Sequence, residues 1–464
     1  MTSTPRPAGG SPDDPAPGAA GGTLDASVSG AAGGTLDASV SGAADRTSGG
    51  PAASRPGALV AGGGDLLDAA RRLAPGAVAL RRALHRGPEL ALDLPATQRL
   101  ILDALDGLGL DIRTGRALSS VTATLTGAAD GPTILLRADM DALPVTEDTG
   151  LPFASRGPGL MHACGHDVHM AMLVGAARLL AGRREALPGR VVFMFQPGEE
   201  GHHGARLMIE EGVLEASGSR ADAAFALHVN PNMPAGAVLL RPGPQLAASD
   251  RFRVVVQGRG GHASAPHTTC DPVPVACEIV LALQSAVTRG VAADDSAVLS
   301  VTRLTAGTAT GVIPDTAELS GTLRTLAEPT RRRLHEAIAR VAHGVAAAHG
   351  ATAEATVVPG YPVSVNDPGM TALVRRAAAD ALGPDAVHAL PAPQMTAEDF
   401  SYVLRAVPGA LAFLGACPPG HAPHEAPSLH SPRMTVDEDV IATGIACEAA
   451  VALAFLAGRG RLDG

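Results

Sequence analysis

Residues 161–169, Met-His-Ala-Cys-Gly-His-Asp-Val-His, crowd soft and titratable side chains into one short stretch. Cys164 offers a thiolate and His166 an imidazole two residues later. Small Ala and Gly neighbours leave the backbone free to bring both side chains to one point. Soft sulfur beside imidazole suits a transition metal, not calcium or magnesium. Asp167 is placed to hydrogen-bond a ligand's second ring nitrogen, the usual outer partner of a metal-bound histidine.

Further candidates follow apolar runs. Glu199 and Glu200 come after Val191–Phe195, and His228 after Ala223–Leu227. His430 lies in Leu429-His430-Ser431-Pro432. Adjacent carboxylates on an extended backbone point in opposite directions. One can bind metal while the other faces the reacting water, the division of labour that metal-assisted hydrolysis needs. Cys164, His166, Glu200, His228 and His430 are more ligands than one catalytic zinc takes. They suit two metals about 3.5–4 Å apart that share a bridging ligand.

The elements that must position these residues are legible as patterns. Helical spacing begins near Asp65, a second helical piece covers 77–86 up to the Gly87-Pro88 breaker, and another helix covers 95–108. Residues 133–138, 191–195 and 223–227 read as buried strands, with an apolar helix over 168–180. Helices alternating with apolar strands predict a mostly parallel α/β sheet, whose ligands gather beyond the strands' carboxyl ends. Asp139, Asp141, Glu199, Glu200 and His228 all fall at such ends.

After Pro244 the order becomes strand 253–257, helix 272–289, strands 297–304 and 316–324, helix 331–347 and strand 352–358. That is the βαββαβ order of a ferredoxin-like unit. The α/β pattern resumes with helices at 371–382 and 399–406, a strand at 410–414 and a last helix at 437–457. The expected organisation is a tail at 1–62, a catalytic metal-binding domain from 63–245 and 360–464, and an inserted domain at 246–359.

Composition narrows the class. The chain has 464 residues, 46% of them hydrophobic, enough for a sizeable core. Net charge is −10, Trp is absent and aromatics are 2%, which argues against nucleic acid as a partner. All 36 basic residues are Arg, a compositional bias without functional meaning. No uninterrupted apolar stretch approaches a membrane span, and residues 1–5 lack a signal-peptide pattern. The five cysteines are widely spaced and odd in number, which fits a reducing compartment, so a cytoplasmic enzyme is expected. Cys270, Cys277, Cys417 and Cys447 read as buried small hydrophobes. Residues 1–62 are Gly, Ala, Ser, Pro and Asp with AAGGTLDASVSG at 19–30 repeated at 31–42, so disorder is expected there.

HACGHDVH, QPGEEG, ALHVNP, GRGGHASAPH, GVIP, SGTLRT, TAEDFSY and LHSP occur in this order. Over about 66–457 the chain resembles bacterial N-acyl-amino-acid amidohydrolases such as hippurate hydrolase and aminoacylase-like enzymes, together with the plant auxin-conjugate hydrolases. These belong to the dinuclear metallopeptidase family that includes carboxypeptidase G and succinyl-diaminopimelate desuccinylase. The resemblance implies two divalent transition metals (Mn, Zn, Co or Ni) with Cys164 bridging, His166 and His228 completing one site, and Glu200 and His430 the other. It implies Glu199 as general base for a metal-bridging water and His262 as an oxyanion donor reaching into a partner subunit, hence a homodimer through the inserted lid. Asp141 matches the aspartate that orients a ligand, Asp139 stands where sister families place a metal His, and Arg324 matches the arginine that grips the substrate carboxylate. Gly311 replaces an Asn usual before Val-Ile-Pro, which weakens the expected hold on that carboxylate. His202 and His203 replace part of a commoner glycine run and bring two imidazoles near the metals. The implied reaction is hydrolysis of N-acyl amino acids. A dipeptidase or carboxypeptidase on the same site, or a binding protein that kept the fold, stand as alternatives.

Overall fold

The computed structural model describes residues 64–462; the expected tail lies outside them. Helix α1 (Gly64–Arg86) runs through Pro75 as one piece where two were expected. Pro75 and Gly76 are exposed, so the ring and the lost hydrogen bond face solvent. Leu66, Ala70, Ala77 and Leu84 on the other side are buried and carry the helix across the break.

After α2 (Pro95–Leu105) come β1 (Asp111–Thr114), β2 (Val121–Thr126) and β3 (Ala129–Asp139), then α3 (His166–Ala181), β4 (Pro188–Gln196), α4 (Gly204–Glu210), β5 (Ala223–Asn230) and β6 (Val238–Leu240). The chain then leaves this sheet through β7 (Gly243–Leu246). A second sheet unit follows: β8 (Ala248–Gln257), β9 (Gly261–His262), α5 (Pro272–Gly290), β10 (Ala297–Ala306), β11 (Val312–Ile313), β12 (Thr316–Thr325), α6 (Glu328–Ala348) and β13 (Thr352–Pro359). The return is made by β14 (Ser364–Asn366), α7 (Pro368–Leu382), β15 (Val387–Ala389), α8 (Ser401–Ala406), β16 (Gly409–Gly415) and α9 (Val440–Ala457).

The large sheet has eight strands in the order β1-β2-β4-β3-β5-β16-β6-β15. Its centre is parallel: β3 pairs with β4 and β5, and β5 with β16. Both faces are covered, as a parallel sheet requires. Ile134, Leu136, Val191, Phe193 and Phe225 pack under α1, α3, α7 and α9. Leu135, Val192, Met194 and Ala226 point the other way, toward Met208, Phe400 and Val403 of the α4–α8 side. Successive side chains on opposite faces, all apolar, explain why these strands read as unbroken hydrophobic runs.

The second sheet has the order β10-β12-β8-β13, with every pairing antiparallel. With α5 and α6 on one face this is the ferredoxin-like arrangement. β12 shows its expected alternation: Ala317, Leu319, Gly321 and Leu323 are buried, while Arg324 lies on the opposite, half-open face.

Two helices are long and apolar enough to cross a membrane by composition. α9 is one of them, and it is buried in the core against α1, α3 and α7. The other, α5, lies on the second sheet with only part of one face buried. All five cysteines are free. Cys417 and Cys447 are buried as expected, but Cys277 is exposed and Cys270 partly so; α5 turns Cys277 outward, next to the buried Ala276.

Candidate active site

The carboxyl ends of β4 and β5 and the loop before α9 meet at a cleft of about 630 Å³. Cys164, Glu199, Glu200, His228, His430 and Arg324 all line it. Glycine is required where α3 begins: Gly165 has φ +82°, and a Cβ there would lie 2.4 Å from Val229 Cγ2. That turn places Cys164 and His166 side by side at the helix start.

Hydrogen bonds fix which atom each imidazole offers. His166 Nδ1 donates to the main-chain oxygen of Asp141 at 2.7 Å, and His228 Nδ1 to that of Val229 at 2.8 Å. Each ring is therefore left with its Nε2 lone pair as the free donor atom. His166 Nε2 is buried without a hydrogen-bond partner. His228 Nε2 stands 3.6 Å from Cys164 Sγ, and His430 Nε2 3.2 Å from Glu200 Oε1. Cys164, Glu200 and His430 present donor atoms within 4.8 Å of one another, and so do His166, Glu199 and Glu200. A buried ring nitrogen left unpaired costs about 1–3 kcal/mol unless something fills the gap. A soft thiolate, imidazoles and carboxylates in this arrangement fit divalent transition metals.

The electrostatics agree. Burial, together with Glu200, Glu199 and Asp139, pushes the Cys164 thiol well up, so its thiolate needs a cation alongside. Burial alone would lower His166, but Asp139, Asp141 and Glu200 outweigh it and hold it up at about 10. The carboxylates thus create a field that a metal would satisfy in place of that proton.

Asp141 sits at the hub. Its Oδ1 accepts from Glu199 N at 2.9 Å and its Oδ2 from Glu200 N at 3.0 Å. Glu199 and Glu200 therefore lie in a tight turn pinned by Asp141, not on the extended backbone expected of them. Asp139 has both oxygens engaged, one by His169 Nδ1 and one by Arg137 Nη1, each at 2.6 Å. His169 in turn accepts from Val229 N at 2.8 Å through Nε2. Both its nitrogens are used, so it steers the end of β5, where His228 sits, and has no lone pair left for a metal. His430 has the left-handed φ of +67°, uncommon without glycine, and its N–H donates to Ala163 O at 2.8 Å. That bond holds its loop against the Cys164 turn.

Asp167 does not do what was expected of it. Its Oδ2 accepts from Arg81 Nε at 2.7 Å and His85 Nδ1 at 2.8 Å, behind α3. Consecutive helical residues point about 100° apart, so Asp167 faces α1 while His166 faces the cleft. His85 is held up at about 9: burial would lower it, but Asp167 and Glu147 outweigh that.

His262 is exposed on β9 and does not line the cleft. Gly311 lies next to it, at the start of the partner strand β11. His203 Nδ1 is 2.9 Å from the Tyr402 hydroxyl, and neither His202 nor His203 joins a candidate ligand group.

Sequence reasoning passed over Arg137, Glu398, Asp399 and Tyr361. Arg137 is buried and binds Gln196 Oε1 at 2.9 Å, Glu398 Oε1 at 2.9 Å and Asp399 Oδ1 at 3.1 Å besides Asp139. Its signal was present: an Arg inside a buried apolar strand must be paired. Tyr361 accepts from Gly201 N at 2.6 Å and donates to Glu199 O; nothing local in the sequence announces that.

A doubly covered, largely parallel sheet with thiolate, imidazole and carboxylate donors at its carboxyl edge defines a metal-dependent hydrolase. Residues 135–454 match the family model for peptidase family M20/M25/M40. An N-acetylcysteine deacetylase of Bacillus subtilis (strain 168) is 40% identical over 363 residues, 78% of this chain and 92% of its own. The IAA-amino acid hydrolase ILR1-like 2 of Arabidopsis thaliana is 38% identical over 397 residues, 83% of this chain and 87% of its own. A solved Bacillus subtilis structure, described as a dinuclear metal-binding peptidase of the M20 family, superposes with a TM-score of 0.71 at 35% identity. It covers 83% of this chain and 99% of that one. The chain belongs to peptidase family M20/M25/M40.

Proposed function

We propose that this chain hydrolyses the amide bond of N-acyl amino acids, releasing a carboxylic acid and a free amino acid. The observation that carries the reading is one cleft lined by Cys164, Glu199, Glu200, His228, His430 and Arg324, with His166 grouped with Glu199 and Glu200 as a candidate ligand. Two divalent ions, Mn, Zn, Co or Ni, would supply Lewis acidity to the amide carbonyl and acidify the attacking water. In this reading Cys164, His166, Glu200, His228 and His430 would hold them. Glu199 accepts the water's proton as the C–O bond forms and delivers it to the amine nitrogen as the C–N bond breaks. Arg324, half-buried with no hydrogen bond or ion pair among the described residues, receives the substrate carboxylate. The relatives' names, a deacetylase of N-acetylcysteine and a hydrolase of an amino-acid conjugate, support the substrate class.

The test is a panel of N-acetyl and N-benzoyl amino acids set against free-amine dipeptides, after metal stripping and reconstitution. Metal-dependent release of amino acid from the acylated compounds is expected; turnover confined to dipeptides moves the activity to a peptidase.

We further read the second sheet unit, residues 246–359, as a lid that dimerises and the enzyme as cytoplasmic. His262 is exposed and away from its own cleft, which suits a donor to a partner's site. The edge strand β10 leaves Val298 and Leu304 exposed, a surface a second copy would cover. Mixing inactive His262→Ala with inactive Glu199→Ala under subunit exchange is expected to restore part of the activity, since one hybrid site is intact. No recovery on mixing would place His262 outside the reaction.

A further inference from the structure

The chain has only two tyrosines, and both stand where the segment leaving β13 passes the Glu199 turn. Tyr361 is buried, and its hydroxyl bridges the turn, accepting from Gly201 N at 2.6 Å and donating to Glu199 O. Its own carbonyl accepts from Ser249 N at 3.0 Å. Ser249 lies at the start of β8, directly opposite Arg324 on β12. Ser249, Arg324, Tyr361, Glu199 and Gly201 all line the same cleft. A continuous path therefore leads from the guanidinium that would take the substrate carboxylate, across one strand pair and two hydrogen bonds joined by Tyr361, to the peptide unit that carries Glu199.

We propose that Tyr361 is a positioning residue through which carboxylate binding at Arg324 sets the placement of Glu199. The inference rests on the N-acyl amino acid reading and goes beyond it by coupling the grip to the base. Pull on Arg324 moves β12 and, with it, Ser249 on β8. Tyr361 passes that shift to the Glu199–Gly201 turn, whose other tether is Asp141. Binding energy gained at the far end of the substrate is thereby used at the reacting carbon, which raises kcat and not affinity alone. A base misplaced by about 1 Å can cost about 100-fold in rate. An Arg324 that acted only as an anchor would instead change KM with kcat unmoved.

The test is a double-mutant cycle on kcat, read with an N-acetyl amino acid and with its carboxamide. Arg324→Ala, Tyr361→Phe and loss of the substrate carboxylate should each lower kcat by up to about 100-fold. Any two together should cost no more than one alone, and metal content should stay at the parent value. Effects that multiply, or a parent enzyme with equal kcat on acid and carboxamide, overturn the inference while leaving the functional reading in place. No turnover of either compound overturns the functional reading, and this inference with it. A second measurement does not depend on Tyr361→Phe folding. In Tyr402→Phe the tyrosine emission comes from Tyr361 alone, and the chain has no Trp to mask it. Its emission should change on adding the free amino acid and stay flat when Arg324→Ala is added to that background. A flat response with Arg324 intact overturns the coupling.

Discussion

Glu199→Ala should reduce kcat by about 10²–10⁴-fold, the contribution of a positioned general base, while both metal equivalents remain bound. The two halves of that expectation come from different atoms. The candidate ligand set of Cys164, His166, Glu200, His228 and His430 is complete without Glu199. Glu199 is buried at the cleft floor, and burial with Glu398 and Glu200 pushes its carboxyl well above the usual range. In the loaded enzyme the metals' positive charge would oppose that push and favour the ionised base. Glu200→Ala makes the contrast, because it removes a donor: metal content should fall along with activity. Elemental analysis beside steady-state kinetics decides the matter. Near-parent turnover in Glu199→Ala, or metal loss equal to that of Glu200→Ala, would sink the division of labour between the two neighbours.

The second large effect is on stability. Arg137 holds Asp139, Glu398 and Asp399 together with almost no exposure to water. Removing one partner of a buried ion pair costs about 3–5 kcal/mol, because the charges left behind stay buried and unpaired. Arg137→Met is therefore expected to lose stability on that scale, measured as a lower urea midpoint at unchanged slope. The pH dependence has a definite sign. Burial, with Glu398, outweighs Arg137 and raises Asp399 from 3.8 to about 8. A carboxyl raised on folding contributes stability that is full below 3.8 and lost as pH rises through about 8. Arg137 is the charge that opposes the upward shift of Asp399, so without it ionising Asp399 as pH rises towards 8 costs more. The penalty of Arg137→Met should therefore grow between about pH 5 and pH 8. A penalty that is constant with pH would show that Arg137 contributes packing, not charge. Reduced metal binding should accompany the substitution, because Asp139 and His169 steer the end of β5.

The difference between what could be read in the chain and what could not follows from range. β3, β4 and β5 were legible because burial on both faces leaves unbroken apolar runs such as Val191–Phe195. β12 was legible because burial on one face leaves clean alternation. β1 and β2 were passed over: β1 is a four-residue edge strand, and the threonines of β2 give it no apolar run. The ligand candidates were visible because side chains of unusual chemistry recur at the ends of strands. Their orientation was not. Asp167 is adjacent to His166 in sequence yet turns to Arg81 and His85; only the family resemblance pointed to Asp141, whose main-chain oxygen takes the His166 Nδ1 proton. Tyr361 and Glu199 meet from 162 residues apart, and no local pattern encodes such a contact.

The packing of α9 bears on how the chain is made. Its eighteen residues fill the space between α1, α3 and α7 beneath the large sheet. That sheet also lacks β16, a partner of β5, until late in synthesis. The second sheet, by contrast, is drawn from one continuous run of chain and has its own apolar interior. A ribosome therefore delivers a segment able to close on itself while the flanking half still shows bare hydrophobic surface. Until residues 440–457 leave the exit tunnel, the nascent polypeptide is a client for chaperones, and stalling before that point would yield aggregates in place of a partly working enzyme.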